Sequence, residues 1–131
     1  MSPQVTVVLD ARVLADYARI DGASVSLGEL LGVVADDPTT CVGVPRACLV
    51  EAMASLSGAA DIERLHRLVD LRCVELLEHS QAPWTEELVW RRRLGDNGRT
   101  AATLAAIHHR AVVATADAHA YGGKVSVLEL D

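Results

Sequence analysis

The chain predicts an α/β layer fold built on a mostly parallel sheet, and three observations carry that reading. Helical and strand-like patterns alternate along all 131 residues. The apolar run at 5–9 is continuous rather than alternating, as in a strand covered on both faces. Short apolar stretches also run into carboxylates: 5–9 ends at Asp10, 111–115 is followed by Asp117, and 42–45 opens a helix that carries Glu51. Acids at the carboxyl ends of buried parallel strands converge, because such sheets place their sites just beyond those ends.

Each element has a local reason. After the first strand, Val13, Leu14, Tyr17 and Ala18 fall at helical spacing. Ser26 and Glu29 form a capping-box pattern ahead of Leu30, Leu31 and Val34, and Asp36-Asp37-Pro38 stops that helix. Residues 41–44 read as a second strand, with Pro45 placed for the first helical position. Leu49, Ala52, Met53 and Leu56 mark a buried stripe that Gly58 closes. A helix over 61–69 turns Ile62, Leu65 and Leu68 inward, and 73–77 is a third strand. Pro83 precedes a helix with Glu86 and Glu87 in its first turn and Arg91, Arg92 and Arg93 in its last, a polarity that suits the helix dipole. An alanine-rich helix over 100–109, a fourth strand at 111–114, a Gly122-Gly123 turn and a last strand at 125–130 complete the series.

The length fits one domain spanning 1–131, and half of the residues are hydrophobic, enough for a core. No apolar run reaches the roughly 18 residues of a membrane span, and no signal-peptide pattern opens the chain. Cys41, Cys48 and Cys73 form no CxxC pair and sit among apolar neighbours, so reduced core thiols in a cytoplasmic protein are expected. The net charge of −6 argues against passive nucleic-acid backbone binding but not against a nuclease whose acids hold cations. Phenylalanine is absent, and with only Trp84, Trp90, Tyr17 and Tyr121 a broad base-stacking platform is not expected. A converging acid set without a Cys/His pattern points to a hard divalent cation, Mg2+ or Mn2+, and so to phosphate chemistry.

Over nearly its whole length the chain resembles a PIN domain. The resemblance rests on Val7-Val8-Leu9-Asp10, on Val44-Pro45 followed by Leu49-Val50-Glu51, and on Val112-Val113-Ala114-Thr115-Ala116-Asp117. It implies a three-layer α/β/α sandwich and a small metal-dependent endoribonuclease, in many members the toxin of a toxin–antitoxin pair and often a homodimer. By position, the resemblance makes Asp10, Glu51 and Asp117 the metal ligands, with Thr115 orienting them. Two departures stand out. The further aspartate the family carries before the fourth strand falls on Arg99, with Asp96 one turn earlier, and the residue two after the first aspartate is Arg12.

A working site would use one or two ions to activate water and stabilise phosphate charge, with Asp96 reaching the ion directly or through water. RNA contact would come from Arg91, Arg92 and Arg93, while Arg12 and Arg99 would either grip the scissile phosphate or pair with the acids and replace the cation. The plainer readings are local. Asp10 caps a helix, Glu51 makes a surface ion pair, Asp117 serves a turn, Asp96-Asn97-Gly98 is a turn and cap, and the arginine run is a solvated helix end. His119 is the histidine nearest the acids in sequence, and His108-His109 suits a helix end. Two functions follow: an RNA-cleaving enzyme with a protein antitoxin as partner, or a catalytically degenerate module that binds RNA or a protein. The second predicts guanidinium groups on Asp10 or Asp117. A phosphatase-like enzyme is disfavoured because Asp10-Ala11-Arg12 lacks the Asp-x-Asp pattern, and no phosphate-binding glycine loop is present.

Overall fold

A computed structural model describes residues 2–131. Five strands form one parallel sheet in the order β3-β2-β1-β4-β5: β1 (Gln4–Leu9), β2 (Thr40–Pro45), β3 (Val74–Leu77), β4 (Val112–Thr115) and β5 (Val127–Glu129). Six helices, α1 (Ala11–Arg19), α2 (Ser24–Ala35), α3 (Arg46–Ala54), α4 (Ala59–Val69), α5 (Trp84–Leu94) and α6 (Asn97–His109), complete an α/β/α sandwich of PIN-like architecture. The sheet is wholly parallel where the sequence predicted a mostly parallel one.

The strand order sets the location of the site. From β1 the chain winds outward through β2 to β3, then returns through α5 and α6 to β4 on the other side of β1. With right-handed crossovers this reversal puts the two helix layers on opposite faces. It also opens a crevice beyond the carboxyl ends of β1 and β4, the place where doubly wound sheets bind ligands. Leu9 pairs with Ala114 there, so Asp10 and Thr115 leave the sheet side by side.

Without phenylalanine, the core is made of valine, leucine and alanine. Val8, Leu9, Leu14, Leu27, Leu65 and Val113 are fully buried, and Tyr121 is the largest side chain among them. Cys41 and Cys48 are buried and Cys73 half-buried, all as free thiols, in line with the sequence. Burial pushes the Cys41 thiol up to about 11, with the Glu75 carboxylate adding to the shift.

Several boundaries differ from the sequence expectation, each for a local reason. Helix α2 begins at Ser24, so Ser26 lies inside it and cannot cap; its hydroxyl donates to the Asp131 carbonyl at 3.3 Å. The Asp16 carboxylate, one helix earlier, accepts the Ala23 N–H at 3.3 Å and serves that entry instead. Pro45 is the last residue of β2 and precedes α3, whose first residue is Arg46. Helix α3 ends at Ala54, and Gly58 opens α4 rather than closing α3. Helix α6 begins at Asn97 because Asp96 caps it, three residues ahead of the expected start. β5 is confined to Val127–Glu129.

One glycine is set by close packing. A Cβ on Gly43 would lie 2.9 Å from both Leu77 Cδ1 and Val5 Cγ1. Val5 is buried and β-branched, so it has little freedom to give way. Gly43→Ala is expected to cost about 1–3 kcal/mol through overpacking, read as a lower urea midpoint with an unchanged m-value.

Candidate functional site

Asp10 is 4% exposed, and its position follows from two local forces. It ends the central strand and begins α1, where its Oδ1 accepts the Val13 N–H at 3.0 Å as an N-cap. Its Oδ2 accepts the Tyr121 hydroxyl at 2.8 Å, reaching across from the 3-10 turn Ala118–Tyr121 that follows β4. Burial, and then the adjacent Asp10 charge, push the Tyr121 hydroxyl far above its ordinary value, so it stays protonated and remains a donor. The plain capping reading of Asp10 holds, with a second bond that the sequence could not show.

Around Asp10 opens a cleft of about 270 Å3. It is lined by the three acids Asp10, Glu51 and Asp96 and by the three arginines Arg12, Arg19 and Arg99. Asp96 caps α6 through Oδ1, which accepts the Arg99 N–H at 2.7 Å, while its Oδ2 lies 3.3 Å from Arg99 Nη1. The turn-and-cap reading of Asp96-Asn97-Gly98 is therefore borne out. Glu51 projects from α3 over Gly98, so close that a Cβ at 98 would collide with its carboxylate. Desolvation, then Asp96 and Asp10, push the Glu51 carboxyl up, and Arg99 partly offsets them. Cys48, one turn before Glu51, donates its thiol to the Gly98 carbonyl at 3.1 Å and holds α3 against the start of α6.

The arginines are placed differently from expectation. Arg12 pairs with Asp16 one turn along α1, with 3.9 Å between Nε and Oδ1, and Arg99 pairs with Asp96. Neither guanidinium makes an ion pair with Asp10 or Asp117 among the described residues. Arg19 was not singled out in the sequence; its Nη2 donates to the Ser55 hydroxyl at 3.1 Å and bridges the end of α1 to the end of α3. Tyr121 is the other residue missed, because only its fold brings it 111 positions back to Asp10.

Asp117 and Thr115 stand apart from this arrangement. Thr115 is buried, and its Oγ1 accepts the Asp117 N–H at 3.1 Å, which shapes the turn beyond β4. Asp117 is half-buried and does not line the acid cleft. His119 is exposed, and His108 and His109 pack edge to face at the end of α6. Arg91 donates to Asn97 Oδ1, Arg93 lies over the Trp90 ring at 5.4 Å, and Arg92 is exposed, all on the last turn of α5. A larger cleft, about 630 Å3, is lined by α3, residues 77–81, Glu87 of α5 and α6, shares Glu51 with the first, and mixes apolar residues such as Ala54 and Leu104 with His108 and His109.

Among the described residues, no three His, Cys, Asp or Glu side chains are gathered into a metal-ligating group. Both Asp10 oxygens already accept strong donors, and Arg99 supplies Asp96 with the positive charge an ion would supply.

Known proteins speak to the fold alone. No family model and no curated protein matches the chain. Its structure is similar to that of VapBC2 from Rickettsia felis, solved as a crystal structure bound to a DNA fragment from their promoter. The TM-score is 0.71 and the identity 14%, over 97% of this chain and 100% of that one. The likeness supports a PIN-like fold.

Two outcomes are expected of this geometry. Tyr121→Phe leaves a buried carboxylate oxygen without its donor and is expected to cost about 1–3 kcal/mol in a denaturant titration. Glu51 has a raised folded-state pKa, so the folded protein binds its proton more tightly than the unfolded chain does. Its effect on stability is therefore absent below the unfolded value, about pH 4, and becomes a penalty as pH rises through the folded one. Glu51→Gln is expected to raise Tm at neutral pH and leave it unchanged under acid conditions.

Proposed function

We propose that this chain is a PIN-like module of the toxin–antitoxin kind that acts by binding a protein partner, without metal-dependent cleavage of RNA. The observation that carries this reading is the charge balance of the cleft, which is lined by three acids and three arginines. A magnesium site needs excess negative charge on free oxygen donors. Here Arg99 neutralises Asp96 directly, Arg12 and Arg19 line the same cleft, and Asp10 is engaged in the α1 cap and the Tyr121 bond. The solved structure with the similar fold is that of VapBC2, which fits a module whose work is done in complex with another chain.

A second reading keeps the metal-dependent endoribonuclease. It is favoured by one observation: Asp10, Glu51 and Asp96 line a single cleft at the switch point of the sheet. In that reading Arg91, Arg92 and Arg93 would hold the RNA backbone, with Arg12 or Arg99 on the phosphate.

The two readings separate in one set of measurements. The binding module is expected to show no saturable heat when Mn2+ is titrated in, and to leave structured RNA intact in Mn2+. It is expected to co-elute with the product of the adjoining reading frame when the two are expressed together. RNA cleavage that requires Mn2+ and is lost in Glu51→Gln and Asp96→Asn would replace this proposal with the nuclease.

A further inference from the structure

The larger of the two clefts, about 630 Å3, falls within the roughly 300–1,000 Å3 of small-molecule sites. Two helical stripes line it. Ala47, Val50 and Ala54 recur at three- and four-residue steps along α3, and Ala101, Leu104 and Ala105 do so along α6. Most of these side chains are small, which keeps the space between the helices open. Leu77, at the end of the outermost strand β3, adds a further apolar contact. An apolar lining with a few polar groups is the composition of a ligand pocket.

The charges of the cleft indicate what enters it. Glu51, Glu78 and Glu87 line it, against Arg46 as its single arginine. Arg46 Nη1 lies 4.0 Å from Glu78 Oε2, so that pair is matched. Glu51 and Glu87 make no ion pair among the described residues. Desolvation, then Asp96 and Asp10, already push the Glu51 carboxyl up, and a cation beside it would relieve that strain. Burial, and then the neighbouring His108, lower the His109 imidazole from its ordinary value, so it is uncharged at neutral pH and does not balance the acids. An anion, a nucleic-acid phosphate included, would meet three carboxylates and one guanidinium that is already paired.

We propose that this cleft binds a small organic cation, an ammonium group carried on an apolar body, with its charge met by Glu51 and Glu87 and its body packed on Val50, Ala54, Ala101 and Leu104. The two parts of the ligand do different work. Burial of the apolar body supplies the affinity, in proportion to the area removed from water. The partly exposed carboxylates add little affinity but select the sign of the charge. The site shares only Glu51 with the acid cleft, and it stands whether or not the chain also binds a protein partner.

The test is an NMR titration of the full chain, followed through its backbone amides, with tryptamine as the probe. Tryptamine is expected to give saturable shifts at residues 47–54 and 100–108. Indole-3-propionate, the same ring system with a carboxylate in place of the ammonium, is expected to give none. Spermidine, a cation without the apolar body, is expected to bind more weakly than tryptamine. Glu87 and Val50 are exposed, so variants there are expected to keep the circular dichroism spectrum of the parent. Glu87→Lys is expected to weaken tryptamine about tenfold, and Val50→Arg, which brings a bulky cation into the cleft, to abolish the shifts. The absence of saturable shifts with tryptamine overturns the proposal. So does equal binding of indole-3-propionate or spermidine, or an affinity unchanged in both variants. Shifts confined to the surroundings of Asp10, Arg12 and Arg99 would put the cation in the acid cleft and overturn it as well.

Discussion

A buried carboxylate at the end of the central strand organises this molecule. Asp10 is almost fully withdrawn from water, and a charge in that position must be met by donors. The Val13 N–H and the start of α1 meet it on one side and the Tyr121 hydroxyl on the other. Three segments are joined through one side chain: β1, the helix that follows it, and the turn beyond β4. The crevice at the topological switch point owes its shape to that junction, and the largest fully buried side chain in the core, Tyr121, is the one that completes it.

The same junction determines what the crevice can do. A cation centre depends on oxygens whose lone pairs are free and whose charge is not otherwise balanced. Here the most buried acid is committed to architecture, and Asp96 both caps α6 and faces Arg99. The chain as a whole carries an excess of acid, yet the cleft where three acids meet is lined by as many arginines. Partly exposed pairs of this type contribute only about 0–1 kcal/mol to stability, so their consequence is electrostatic rather than structural. They decide which charges the cleft admits.

The rest of the molecule divides apolar residues between two tasks. Valine, leucine and alanine fill the space between sheet and helices, with Gly43 letting Leu77 and Val5 close over β2. Helix α5 takes no part in that core, although it carries both of the chain's tryptophans and a leucine–valine pair.

Much of the architecture was legible in the residues themselves. The continuous run of 5–9, the helical spacing of Val13, Leu14 and Ala18, and the strand-to-acid transitions at Asp10 and Asp117 are local patterns, and local patterns survive folding. Element ends were less legible, because competing partners sit far off in the chain: Asp16 displaced Ser26 at the start of α2, and Asp96 moved the start of α6. The acids of the cleft could be nominated as residue types, and Asp10, Glu51 and Asp96 do meet. Which of them were free could not be known, since Tyr121 reaches Asp10, Arg99 reaches Asp96 and Arg19 spans to Ser55 only after the sheet has closed. Periodicity encodes which face a side chain takes, whereas long-range hydrogen bonds and charge balance depend on distances that exist only in the folded chain.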